Sequence, residues 1–348
     1  PPHLGNRGFG DKTDIIKKCK CEIADLFNIK NADRIYFTSG ATDSSNRIIN
    51  GLQLNNKNVI TTQTEHNAIL RPLYNSVKCN LNIIPCNAKG ELNFEEYYGK
   101  IDNNVDAVFV NHCSNVTGIA LPLKKMASYA KQNGALFIVD ASQSAGMLDI
   151  DVEDMGIDIL IFTGHKGLMG PQGIGGICIR KGVEIRPLKT GGTGILSFSK
   201  TQPGVLPQAL EAGTLNGIGI VGLGAAIDFI NTYGIDKIRE QEMNLIEIFY
   251  KKIQKIQGIK IYHEKQLDLT KQTAICSINL EEYDSGSVSD ELMERFQIQT
   301  RSGAHCAPLV HEHFGTIEQG MVRFSFGHET TMKEINQIIN AVKILAEE

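Results

Sequence analysis

Four short apolar runs between residues 105 and 180 constrain this chain more than anything else in it. They are Val105-Asp106-Ala107-Val108-Phe109-Val110, Ala135-Leu136-Phe137-Ile138-Val139-Asp140, Ile157-Asp158-Ile159-Leu160-Ile161-Phe162 and residues 174–180. Each is short for a helix and rich in β-branched and aromatic residues, so each reads as a buried strand. A helical pattern near 122–133 separates the first two. The same alternation runs upstream. Ile16, Cys19, Ile23 and Phe27 recur at helical spacing over 14–27, with Asp11 or Thr13 available as cap. Residues 34–38, 59–62 and 82–85 read as strands, the first leading into a helix to about Leu52 and the second into one from about Asn67. Strands alternating with helices predict an α/β fold built on a largely parallel, doubly wound sheet. Such sheets bind ligands beyond the carboxyl ends of their strands. Thr42, His66, Asn115, Asp140 and Lys166 fall there.

Past residue 213 the pattern changes. A Gly-rich stretch over 213–224 precedes a helical pattern from Val221 to about Ile256. Strands at 274–280 and 322–326 follow among helices, and the last helix opens on a capping box, Thr331-x-x-Glu334. The expectation is a large domain over 11–228 and a small α+β domain over 229–348. A chain of 348 residues, 42% of them hydrophobic, can bury two such cores. The formal net charge is −4 and the basic residues are scattered, so neither nucleic acid nor membrane is an expected partner. No apolar run approaches the roughly 20 residues that span a bilayer. Eight irregularly spaced cysteines, some inside apolar runs such as Ile177-Cys178-Ile179, read as reduced thiols of a cytoplasmic protein. The opening Pro1-Pro2-His3 has no initiator Met and no apolar secretion signal.

The chemistry concentrates in two turns. Val139-Asp140-Ala141-Ser142-Gln143-Ser144 and Thr163-Gly164-His165-Lys166 each follow a buried strand, with Lys166 26 positions after Asp140. Pyridoxal 5'-phosphate (PLP) chemistry needs an amine that bonds the cofactor and moves a Cα proton. It also needs a carboxylate that keeps the pyridine nitrogen protonated. An Asp and a Lys so placed supply both; either alone would read as an ordinary loop residue. Ser39-Gly40-Ala41-Thr42 enters a helix directly after a strand, which suits a phosphate. Glu65-His66-Asn67-Ala68 places a His where it can stack on a planar ring, although by itself it reads as a neighbour of a helix cap. Arg301-Ser302-Gly303-Ala304-His305-Cys306-Ala307-Pro308 is a Gly-containing loop whose His can favour a thiolate. His305, Cys306, His311 and His313 are too crowded for a typical zinc site, so no metal is expected. Gly217-x-Gly219-x-x-Gly222 matches the dinucleotide fingerprint but follows no convincing strand, so it reads as a packing device at a helix start.

Together these motifs resemble the class V aminotransferase-like PLP enzymes. Among them the chain is most similar to the cysteine desulfurases of the second, selenocysteine lyase-like group, whose loop reads Arg-x-Gly-x-His-Cys-Ala. The likeness runs from Arg7-Gly8 to Arg323. It implies a fold-type I architecture, with a mixed, mostly parallel seven-stranded sheet in the large domain, a smaller C-terminal domain, and a homodimer with shared active sites. It implies Lys166 as the cofactor-bonding lysine, Asp140 as the pyridinium partner, and Gln143 on the ring hydroxyl. His66 would stack on the ring. Ala41, Thr42, Thr163 and His165 would line the phosphate site, and Thr214 would reach the neighbouring subunit's phosphate. Asn115, Arg301 and Arg323 would hold the substrate, and Cys306 would accept its sulfur. The implied activity is conversion of L-cysteine to L-alanine with a persulfide left on Cys306, passed on to an acceptor protein such as one of iron–sulfur cluster assembly. Selenocysteine lyase, a class V aminotransferase or lyase that does not use Cys306, and a catalytically silent scaffold are the alternatives. Three departures stand out. The family's N-terminal strand is absent, so a missing segment is expected, packing with residues 1–10 on the small domain or at the dimer interface. Ala41 stands where relatives often have Thr, and Ala304 where many have a second His.

Overall fold

The computed structural model describes residues 12–262 and 267–348. Asp11, the side chain of Thr13, Arg7-Gly8 and the expected packing of residues 1–10 lie outside the described residues. In chain order, α1 (Lys12–Leu26) leads to β1 (Ile35–Thr38) and α2 (Ala41–Gly51). β2 (Asn58–Thr62), α3 (Asn67–Asn75), β3 (Asn80–Ile84), α4 (Phe94–Lys100) and β4 (Ala107–Asn111) follow. Then come α5 (Leu123–Gln132), β5 (Leu136–Asp140), β6 (Ile159–Thr163) and β7 (Gly175–Ile179). The seven strands form one sheet in the order β1-β7-β6-β5-β4-β2-β3. Strands β3, β2, β4, β5 and β6 pair in parallel, and β7 runs antiparallel to both β6 and β1. The expected mixed, mostly parallel seven-stranded sheet is therefore present.

The apolar runs are continuous because both faces of the sheet are covered. Val108, Val110, Phe137, Val139, Leu160 and Phe162 point to one side, where they pack with Ile23, Phe27, Met126 and Leu223. The alternate residues Ala107, Phe109, Ile138, Ile159 and Ile161 point to the other, where Ile48, Ile49, Ile69 and Leu73 cover them. Period-two alternation of side chains thus distributes one apolar run between two cores. Helix α4 was missing from the sequence reading. It has seven residues, is capped by Asn93 and buries only Tyr97, too short a stretch to show a 3.6-residue period.

The expected single helix from Val221 to about Ile256 is corrected. The structure has α6 (Gly217–Tyr233) and α7 (Ile235–Ile253), bent by 79°. Gly234 makes the break, with φ 99°, a region that only glycine enters freely. The bend redirects the apolar face. Ile227 and Ile230 join the core of the large sheet, whereas Met243, Ile246, Phe249 and Ile253 join a second core. The Gly217, Gly219 and Gly222 pattern starts α6, and an added Cβ at Gly222 would meet Pro171 at 2.9 Å, as a packing role requires. Beyond α7 lie β8 (Ile259–Ile261), β9 (Ile275–Leu280), α8 (Ser285–Phe296), α9 (Pro308–Phe314), β10 (Val322–Ser325) and α10 (Met332–Glu347). Strands β10, β9 and β8 form an antiparallel three-stranded sheet on which α7, α8 and α10 pack. The capping box at Thr331 and Glu334 is formed.

Candidate active site

The carboxyl ends of five strands of the large sheet converge on one cavity of about 340 Å³. β1 ends in Ser39 and Gly40, and Gly40 caps α2, whose first turn holds Ala41 and Thr42. β2 ends in the turn to His66, which is itself the cap of α3: its Nδ1 accepts from the Ala68 amide at 3.0 Å. That bond leaves the hydrogen of the neutral ring on Nε2. β4 delivers Asn115 through a short turn, β5 delivers Asp140 and Gln143, and β6 delivers Thr163, His165 and Lys166. All of these residues and Arg301 face the cavity. Thr214, Cys306 and Arg323 are not in its wall. Thr214 sits on an exposed loop, and Arg323 lies beside Arg301 across an isolated antiparallel bridge.

Asp140 is 6% exposed, and one carboxylate oxygen accepts from the Ser142 amide at 2.9 Å and from the Ser142 hydroxyl. The Lys166 amine makes no hydrogen bond or ion pair among the described residues, and the Lys166 carbonyl accepts from the Met169 amide at 2.8 Å. Burial lowers its pKa from the ordinary lysine range; Asp140 opposes the shift, while Arg323 and Arg301 add to it. Burial likewise lowers His66, against Asp140. Thr163 Oγ1 and His165 Nδ1 lie 3.0 Å apart. The Lys166 turn sits on residues 145–147 without room for side chains. Gly146 has φ 82°, and an added Cβ there would stand 2.3 Å from the Gly167 carbonyl oxygen.

The Cys306 loop is tied to the cavity rim from both sides. Asn115 Nδ2 donates to the His305 carbonyl, and the Asn67 amide donates to the Cys306 carbonyl, each at 2.7 Å. The loop backbone is strained, with His305 at φ 53° and Cys306 at φ 58°. The His305 ring does not serve the thiol as an imidazolium. Its Nε2 donates to the Arg301 carbonyl at 3.0 Å, and its Nδ1 lies 3.4 Å from His311 Nε2 with the rings stacked. Burial pushes it down to about 4, so the ring is neutral and anchors the loop. His313 instead donates to the Asn87 carbonyl at 2.8 Å. The Arg323 guanidinium donates to the Asn115 carbonyl at 2.9 Å, and burial followed by Arg301 lowers it to about 10.

The sequence reading missed Asn111, Cys113 and Ser142 in the cavity wall and Glu65 behind it. Ser142 had a signal in the Asp-x-Ser spacing, which favours a side chain bonding the amide two residues on. Glu65, a carboxylate in a polar turn sequence, had none.

A family model described as aminotransferase class-V matches residues 6–338. Curated cysteine desulfurases from Salmonella newport and Salmonella typhimurium are each 30% identical over 342 residues, covering 94% of this chain and 81% of theirs. The chain belongs to the class V aminotransferase family, among the cysteine desulfurases. The apo structure of a cysteine desulfurase from Thermococcus onnurineus NA1 superposes with a TM-score of 0.92 at 28% identity, covering 99% of this chain and 88% of that one. A cysteine desulfurase from Escherichia coli in its S-sulfonic acid form, 24% identical, shares the fold with a TM-score of 0.88, covering 99% of this chain and 87% of that one.

The cofactor of this family is PLP, and the residues present fit it. Lys166 offers a partly buried amine with no hydrogen-bond partner among the described residues, within the field of Asp140. Gly40 leaves open the space at the head of α2 where a Cβ would stand 3.6 Å from Thr163 Oγ1. Asn115 Oδ1 and Arg323 Nε are buried without partners among the described residues, one an acceptor and one a donor left for a small polar ligand.

Proposed function

We propose that this chain releases L-alanine from L-cysteine and collects the sulfur as a persulfide on Cys306. The single observation that carries the reading is that Lys166 and Asp140 face one cavity whose rim is bonded to the Cys306 loop. Lys166 would hold the cofactor, with Asp140 at the pyridine nitrogen, Gln143 at the ring hydroxyl and His66 on the ring face. Ala41, Thr42, Thr163 and His165 would surround the phosphate. Bound PLP supplies an electron sink for charge developing at the substrate Cα.

The chain's own residues do the rest. Arg323 and Asn115, with Arg301 beside them, orient the substrate carboxylate. Lys166, inclined to neutrality by burial, takes the Cα proton at Nζ. The Cys306 thiolate attacks the substrate sulfur. A sulfur–sulfur bond forms, the carbon–sulfur bond breaks, and its electron pair stays with the β-carbon, which takes a proton; Lys166 returns a proton to Cα, and alanine leaves. Selenocysteine fits the same arrangement. A homodimer is part of the reading: Thr214, exposed in the single chain, would complete the partner subunit's phosphate site. The cysteines, all unpaired, support a cytoplasmic setting and a thiol that hands its sulfur to an acceptor protein.

Borohydride reduction of the yellow holoenzyme followed by peptide mapping tests the cofactor assignment. Label on Lys166 is expected; label on another lysine overturns it.

A further inference from the structure

Glu65 is fully buried, and among the described residues the one charged group acting on it is Asp140, which is of like sign. One carboxyl oxygen has no hydrogen-bond partner among the described residues. The other receives the Asn111 amide at 2.7 Å and stands 2.7 Å from Thr62 Oγ1. From there a line of oxygens continues. Thr62 Oγ1 is 2.9 Å from Thr64 Oγ1, which is 2.7 Å from Asn111 Oδ1. The orientation of Asn111 is fixed, because its Nδ2 donates to the Thr64 carbonyl at 2.7 Å.

Hydrogens can be counted along this line. Three oxygen–oxygen contacts need three hydrogens. The two threonine hydroxyls supply two, and Asn111 Oδ1 supplies none. The third can come only from Glu65. As a carboxylate, Glu65 would leave one of the three contacts as two bare oxygens and would bury half of its charge without a partner. As an acid it donates to Thr62, Thr62 donates to Thr64, Thr64 donates to Asn111, and its unpartnered oxygen is a neutral carbonyl.

We infer that Glu65 is a neutral carboxylic acid and a positioning residue, closing a one-way hydrogen-bond chain through Thr62 and Thr64 to Asn111. The chain ties the turn carrying His66 to the end of β4, where Asn111 pairs with Asp140 in the sheet. It thereby holds His66 and Asp140 in fixed relation. Burial raises Glu65 to about 8, which agrees with the count. The role assigned to Asp140 and His66 rests on the proposed function; the protonation state does not.

The test compares thermal midpoints of wild-type and Glu65→Gln holoenzyme from about pH 5 to about pH 9. A group raised in the folded state loses its stabilising contribution as pH rises through its folded pKa, and Gln cannot titrate. The gap should therefore move in favour of Glu65→Gln by a few degrees across the range, whatever fixed loss Gln brings. A constant gap overturns the neutral acid. Should Glu65→Gln not fold, wild type carries its own signal. Its infrared spectrum at about pH 7 should show a protonated-carboxyl band that shifts in Thr62→Val. Absence of the band, or a band indifferent to Thr62, overturns the inference. The positioning role is read in the visible absorption of the bound cofactor, whose pH titration should shift in Glu65→Gln; an unchanged titration overturns that role. Cofactor bonded to a lysine other than Lys166 would contradict the proposed function yet leave the thermal and infrared readings standing.

Discussion

The Asn67 amide donates to the Cys306 carbonyl at 2.7 Å, so the first residue of the helix capped by His66 holds the loop that carries the thiol. That helix packs on the large sheet through Ile69 and Leu73, whereas Ala307, next to Cys306, packs with Val116, Val310 and Met321. With the bond from Asn115 to the His305 carbonyl, it fixes two successive left-handed residues that a free loop would not keep.

Asn115 links this loop to the cavity, and its removal should separate cofactor binding from turnover. In Asn115→Ala the His305 carbonyl loses its partner, and the carboxylate site loses an amide donor. We expect kcat/KM for cysteine to fall by about 10- to 100-fold, the equivalent of one or two hydrogen bonds. Bound cofactor, measured by absorbance, should stay at the wild-type level.

Gly146 supports Lys166 from below. Gly146→Ala places a methyl group within 2.3 Å of the Gly167 carbonyl oxygen at φ 82°. The expected cost is about 3 kcal/mol, combining backbone strain with overpacking. Thermal unfolding should show the loss, and cofactor loading should fall with it, because the displaced backbone is the Lys166 turn.

His305 predicts an acid-side instability. Its folded pKa, about 4, lies below the ordinary histidine value of 6.5. Its stabilising contribution is therefore present above about pH 6.5 and lost as pH falls toward 4. The loss amounts to at most about 3 kcal/mol. His305→Asn should narrow its stability gap to wild type as pH falls through this window. His112, also pushed to about 4 by burial, is common to both proteins and cancels from the comparison.

Much of the large domain was legible because its signals are local. Short continuous apolar runs mark the strands, and the residues following them mark the cavity, from Thr42 through Asp140 to Lys166. The bend at Gly234 was not legible, since apolar spacing continues across it and only the change of core reveals it. The antiparallel setting of β7 depends on pairing partners distant in sequence. Glu65 looks like any turn carboxylate until the fold closes over it, and His305 was read as a partner of Cys306 although its ring is committed to Arg301 and His311. Neighbours in sequence point in different directions when the backbone is left-handed.

The central claim is that the thiol of Cys306 takes the sulfur while Lys166 and Asp140 work on the cofactor. Cysteine-dependent alanine release by wild type and Cys306→Ala, measured under reducing conditions, tests it most directly. The account predicts that Cys306→Ala binds PLP normally and loses alanine release, because no thiolate remains to attack the substrate sulfur. Equal rates in the two proteins would contradict it.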